Sequence, residues 1–320
     1  MQGRVLYDVF IYPHLSDGRP GYLVDYDNRV SSASPLLPLL KRHVLRSRVG
    51  LRDVSDEWQV WSVWEPMVRE GNISITRDWR QGRSGAMEPL YTKDEHQLGG
   101  EYPRGTIGTR DLRAPGMGDR LLVHTGEKPS ISTACDIAQD GTQYTLHRIL
   151  HGVPEGHDDI VPQQAFPMDS NMDLMGGLDF RKGCYVGQEL TVRTYHTGVV
   201  RKRIVPVSLA LAPQKNSEST LRPDPSVPLL PIHTSIQAER LASSLPDIST
   251  RPTRPRGTGS LLSNVHGVGL ALLRLEHVEG VERGELVMNF ALMGDRGPDA
   301  WVVHPKRPTW WPTVDHAKTD

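Results

Sequence analysis

The chain has 320 residues, enough for two domains or one large one, and its 37% hydrophobic content is that of an ordinary globular protein. Its 37 Lys and Arg against 38 Asp and Glu leave a net charge of −1, so no overall field recruits nucleic acid or an acidic membrane. No stretch approaches the ~18 apolar residues of a membrane helix, and the first residues show neither a signal peptide nor an arginine-rich presequence.

RVLYDVFIY (4–12) alternates in the manner of a strand that starts almost at the first residue, as expected of a chain that has lost its beginning. The turn-rich SDGRPG (16–21) joins it to GYLVDYD (21–27), which predicts a hairpin. Leu36, Leu37, Leu40 and Val44 fall at helical spacing behind Pro35, so a helix is predicted over 36–47. Basic residues gather there, at Lys41, Arg42, His43, Arg46, Arg48 and Arg52, and again at Arg201, Lys202 and Arg203. Such runs read as solvated faces, and neither nucleic acid nor a membrane is expected as a partner. VGLRDV (49–54) and WQVWSVW (58–64) are strand-like, so the opening pattern suits an α+β sandwich of the split βαβ type.

Residues 81–109, rich in Gly, Arg and Thr, read as loop, and DLRAPGMGDRLLV (111–123) as a turn running into a strand. TQYTLHRIL predicts a short helix over 142–151 that stops before Gly152. GQELTVRTYH, from Gly187, predicts another, ended by Gly198 and followed by the strand VVRKRIVPVSL. Residues 212–259 carry eight prolines and many Ser and Thr, and are expected to form a long mobile loop. Strand candidates at 268–278, 285–292 and 300–305 predict a small C-terminal β-barrel or sheet, with a frayed tail after Pro312.

The chemistry concentrates in RKGCYVGQEL (181–190). Cys184 lies between Lys182–Gly183 and Tyr185, just upstream of a helix that opens at Gly187 and Gln188. A nearby lysine and a helix N-terminus both favour the thiolate, and Gly183 permits close approach of a ligand or partner backbone. Glu189 falls in the first helical turn and is spaced to pair with Arg193. The competing reading makes Cys184 a small buried apolar side chain. Cys135, the only other cysteine, has no comparable setting, and the two form no C-x-x-C pair and no four-thiolate cluster site. Without a secretory signal, reduced thiols are expected. His147 and His151 have metal-ligand spacing but no evident third partner, and Asp158–Asp159 reads as a solvated loop.

KGCYVGQE followed by RTYHTGVVRKR resembles the signature of the folate-binding, aminomethyltransferase-like family related to the T-protein of the glycine cleavage system. The longer stretch DSNMDLMGGLDFRKGCYVGQELTVRTYHTGVVRKR (169–203) is most similar to the branch of mitochondrial iron–sulfur cluster assembly factors, in their fungal form. GRVLYDVFIYP (3–13), DLRAPGMGDRLL (111–122), HRILHGVPEG (147–156) and VHGVGLALLRLE (265–276) share the likeness, which covers nearly all of the chain outside the proline-rich loop.

The resemblance implies a folate-binding-like domain over 1–205 and the small barrel domain over 206–320. It also implies a further strand and helix, with a presequence, ahead of the Gly3–Leu6 strand. Activity would fall late in [4Fe–4S] maturation in the mitochondrial matrix, beside A-type scaffold proteins. Cys184 would serve as a thiolate ligand to a transient iron–sulfur cluster shared with a partner, or as a redox thiol. Lys182, Arg193 and Arg201 would offset the cluster's charge, and His196 is a candidate further ligand. The alternative implied by the family is a tetrahydrofolate-dependent aminomethyltransferase, with Arg148 in its pterin-recognition stretch and Tyr185 able to stack on a ring. There the family's R-L-E-A-G pattern is replaced by Arg148-Ile149-Leu150-His151-Gly152. Leu150 forfeits a charge-assisted hydrogen bond worth about 1.5–3 kcal/mol, which argues against efficient one-carbon transfer.

Overall fold

A computed structural model describes residues 3–16, 18–65, 77–82, 86–92, 95, 97–131, 136–138, 140–180, 183, 187–197, 200–212, 220–241, 257–294 and 297–312. The chain opens with an antiparallel hairpin of β1 (Val9–Ser16) and β2 (Arg19–Tyr26), in which Ile11 faces Val24 and Tyr12 faces Leu23. The first strand thus starts later than its sequence suggests. Residues 4–8 lie instead against the 163–165 segment, through Val5 N–H to the Ala165 carbonyl (3.0 Å) and Gln163 N–H to the Val5 carbonyl (2.9 Å). Helix α1 (Leu36–Val44) is one turn shorter than predicted. The predicted strand over 49–54 forms no ladder.

Three antiparallel strands follow in the order β3–β7–β6: β3 (Trp58–Val63), β6 (Ile107–Arg110) and β7 (Asp119–His124). Between them in sequence, β4 (Trp79–Gln81) and β5 (Met87–Pro89) make a small separate ladder. The 81–109 region therefore holds the end of β4, all of β5 and most of β6, which its glycine content hid. Helices α2 (Thr142–Leu150), α3 (Gly156–Asp159) and α4 (Gln188–Thr197) complete this part.

The expected C-terminal barrel is present and closed, in the order β10–β11–β8–β13–β12–β9. Its strands are β8 (Lys202–Leu211), β9 (Ser235–Arg240), β10 (Gly259–Val265), β11 (Val268–Arg274), β12 (Leu286–Gly294) and β13 (Gly297–Pro305), with α5 (Leu275–Glu282) between β11 and β12. Two-residue alternation decides what each strand buries. On β8, Val205, Val207 and Leu209 enter the barrel core with Leu261, Leu273, Met288 and Trp301. Ile204 points the other way and packs with Ile149 of α2, Leu262 and Leu270. Both faces of β8 are covered, which is why it reads as a nearly continuous apolar run.

The barrel corrects the reading of 212–259 as one mobile loop. Within that span β9 pairs with β10 and β12 and closes the barrel, and Leu230 and Ile236 are buried. Ile236 and Ala238 point inward between polar outward neighbours. This period-two signal is short, and the surrounding Pro and Ser concealed it. The remainder of that span at 213–219 and 242–256 lies outside the described residues.

After β13 the chain turns back onto the first part. Trp310 joins Ala114, Met117, Val153, Leu174 and Met175 in a second core, and its indole N–H donates to the His151 carbonyl at 2.9 Å. Arg77 stacks over the Trp310 ring at 4.9 Å while donating to the Leu174 carbonyl at 2.8 Å.

Candidate functional site

The signature segment leads into α4. Gly187 has φ +89°, a left-handed conformation that glycine adopts without strain, and it turns the chain into the helix. Gly183 is exposed, as are Glu189, Arg193, His196 and Arg201, while Gln188 is half-buried. Glu189 sits in the first turn and His196 in the last, as the sequence predicts. Lys182, Cys184 and Tyr185 lie outside the described residues, as do Cys135 and Gly198.

Side chains from the opposite face hold α4 in place. Thr191 is buried. The Tyr195 ring stacks on Phe180 at 3.9 Å, and its hydroxyl donates to Glu88 on β5 at 2.7 Å. Just beyond the helix, Arg203 makes a two-pronged pair with Asp173 at 2.8 Å on each prong and donates to the Met168 carbonyl. Tyr195 thus ties one face of the signature helix to Phe180 and to Glu88 on β5, while Glu189, Arg193 and His196 on the other face are exposed.

Arg148 is not beside α4. It is buried on α2, where it pairs with Asp159 and donates to the Ser263 hydroxyl at 3.0 Å. Asp159 also accepts from the backbone N–H of Ser263 at 2.9 Å. Its reading as part of a solvated loop is therefore wrong: Asp159 is fully enclosed, because its partner arrives from a helix 11 positions earlier. Asp158 remains more exposed and pairs with Arg29.

Arg148 borders a half-open cavity of about 300 Å³ lined by the hairpin, β7, α2 and the start of α3. Its wall is a network of paired charges. Glu155 binds Arg113 at 2.7 Å and accepts from the Tyr144 hydroxyl at 2.5 Å. Arg120 binds Asp25 at 2.7 Å, and the guanidiniums of Arg113 and Arg120 each sit 4.6 Å from the Phe10 ring centre. Burial pushes the Glu155 carboxyl up, but Arg113, Arg120 and Arg148 outweigh it and hold the group at about 2. Glu155 is therefore a fixed anion and not a proton donor near neutral pH.

Asp8 differs. Its Oδ2 accepts from the Gly156 N–H at 3.0 Å, and burial raises its pKa despite that bond. It is the one cavity-lining carboxyl whose pKa is clearly raised. Sequence reasoning missed this site. The available signal was three aspartates, Asp8, Asp25 and Asp27, within two otherwise apolar strand-like stretches.

His147 and His151 have ring centres 4.3 Å apart at the end of α2, and His147 stacks on Trp64 at 4.5 Å. Burial, helped by His151, lowers His147 to about 4, so the pair is neutral packing. Among the described residues no group of three His, Cys, Asp or Glu side chains is arranged to hold a metal ion. Among them, too, no helix is long and apolar enough to cross a membrane.

Comparison with known proteins agrees with this architecture. The CAF17 C-terminal beta-barrel domain matches residues 201–313, the span of the closed barrel and the returning segment. Three fungal relatives carry the name iron-sulfur cluster assembly factor IBA57 homolog, mitochondrial. That of Cryptococcus neoformans is 41% identical over 286 residues, spanning 87% of this chain and 73% of the relative. That of Mycosarcoma maydis is 35% identical over 322 residues, spanning 97% and 72%. That of Aspergillus fumigatus is 40% identical over 292 residues, spanning 86% and 59%. With 41% and 35% identity over most of this chain and more than two thirds of the first two relatives, the chain belongs to the IBA57 family of mitochondrial iron–sulfur cluster assembly factors.

Proposed function

We propose that this protein assists iron–sulfur cluster assembly in mitochondria, late in the making of [4Fe–4S] proteins, through Cys184 acting at a partner surface. Its family membership supports the process. The observation that carries the reading is the setting of the signature: Gly183 on one side of the cysteine and Glu189, Arg193 and His196 on the other are exposed, on a helix locked from behind. On this reading the Cys184 thiolate is open to incoming molecules. A cluster takes about four ligands, so one cysteine supplies part of the set. The rest comes from an A-type scaffold, from a small thiol such as glutathione, or from both. Arg193 and Arg201, both exposed, are the nearby cations that would offset cluster charge.

A second reading, a tetrahydrofolate-dependent transferase, draws support from the cavity beside Asp8, whose carboxyl could accept from the ring N–H groups of a pterin. Leu150 packs toward the barrel-facing cluster and does not line that cavity. Replacement of the family's glutamate there leaves Asp8 as the group to test.

Two substitutions separate the readings. In fungal cells lacking their own copy, Cys184→Ser should abolish maturation of [4Fe–4S] enzymes, while Asp8→Asn should leave it near normal. Maturation at wild-type levels with Cys184→Ser would refute the thiol role. Loss with Asp8→Asn alone would favour the transferase.

A further inference from the structure

We propose that residues 40–49 form a docking element for an anionic phospholipid surface, on which the protein rests without crossing. Three observations converge. First, the run from Asn28 to Arg52 contains no acidic residue. Within it Lys41, Arg42, Arg46 and Arg48 are all exposed, and among the described residues no carboxylate pairs with them. Arg52, by contrast, is already tied to Glu57. Second, aliphatic side chains stand out between these cations: Leu40 is 38% exposed, Leu45 87% and Val49 57%. Leu36 is the one buried side chain of α1. Third, Leu45 closes α1 at φ 47°, ψ −114°, a conformation that a leucine adopts at a cost. That strain presents an oily side chain to water at the end of a basic helix.

The chemistry of the patch selects the occupant. Between Leu36 and Arg52 there is no Phe, Trp or Tyr to stack on a base, so nucleic acid fits poorly. Singly projecting leucine and valine among cations match the interface between headgroups and acyl chains. There Lys and Arg meet phosphate while the aliphatic side chains enter the boundary layer. Charge also sets the orientation. The whole chain is at −1, so the rest of the molecule is net negative and is pushed away from an anionic surface while this patch is drawn to it.

The test is co-sedimentation of the full chain with vesicles of phosphatidylcholine alone and of phosphatidylcholine with phosphatidylglycerol, at low and high salt. The protein should partition onto the anionic vesicles only, less at high salt. Combined Lys41→Glu, Arg42→Glu, Arg46→Glu and Arg48→Glu should lower partition by on the order of a thousandfold or more. Leu45→Gly relieves the strained backbone, so it should raise the melting temperature while lowering partition several-fold. A purely structural Leu45 would not give that opposition. Absence of wild-type partition, equal partition onto neutral vesicles, or an unchanged charge-reversed variant would overturn the proposal. Wild-type partition by Leu45→Gly would overturn the insertion of Leu45.

Discussion

At the residue scale, Glu155 and Arg148 are the charges with the most at stake. Each is enclosed and answered by opposite charge from another segment: Glu155 by Arg113 and Arg120, Arg148 by Asp159. Removing one partner strands the other, which costs about 3–5 kcal/mol when the site is buried. Arg148→Leu should lower the unfolding free energy by that amount, read in urea denaturation, and Glu155→Gln by less, because Arg113 and Arg120 keep Asp111 and Asp25 as partners. The same burial makes the fold acid-sensitive in two steps. His147 titrates at about 4 when folded, against an ordinary 6.5, so the unfolded chain binds more protons and stability falls as pH drops through that window. Glu155, at about 2 against an ordinary 4.5, extends the loss to lower pH. A stability profile against pH should show both, and His147→Gln should shrink the upper one, with buried His151 supplying the rest, and leave the lower one unchanged. None of these pairings was legible in the sequence. Arg148 and Asp159 carry no local pattern that announces a contact, and ion pairs between segments exist only once the fold assembles. Gly187 was legible, because its side chain is missing for a local backbone reason.

Among the elements, those with strong periodicity emerged from the sequence almost as they are. Helices α2 and α4 and the strands β12 and β13 have long enough repeats to outvote their surroundings, whereas the strand predicted over 268–278 ends at Arg274, where α5 begins. Strand β9 did not emerge, since six residues inside a Pro- and Ser-rich stretch yield too few alternations to stand out. Yet β9 is the stave that closes the barrel between β10 and β12. Ile236 within it is fully buried. Ile236→Ala should therefore cost about 2–5 kcal/mol in chemical denaturation, far more than a loop residue would. A second measure concerns Gly259 on β10, where an added Cβ would fall 1.9 Å from the Leu272 carbonyl oxygen. Gly259→Ala should force the β10–β11 pair apart and lower the unfolding free energy in chemical denaturation.

For the molecule as a whole, the two parts are stitched from both sides. Arg148 and Asp159 reach Ser263 on β10, Ile204 of β8 packs on α2, and Trp310 returns to the first part's core. Trp310→Ala should cost about 3–5 kcal/mol and should speed hydrogen exchange at 142–153 and 168–175, distant in sequence from the change. The α+β class was readable from alternating patterns, and the barrel from the family resemblance, since the patterns alone allowed a sheet as well. The return of Trp310 was not, because one tryptophan near Pro308 and Pro312 has no period. That return also dictates a timetable. A ribosome delivers residue 310 long after residues 114–175, so the second core stands open at one wall until the barrel strands have followed. During that wait Met117, Val153, Leu174 and Met175 are exposed to any holdase or protease nearby, and the chain cannot finish its beginning until it has nearly reached its end.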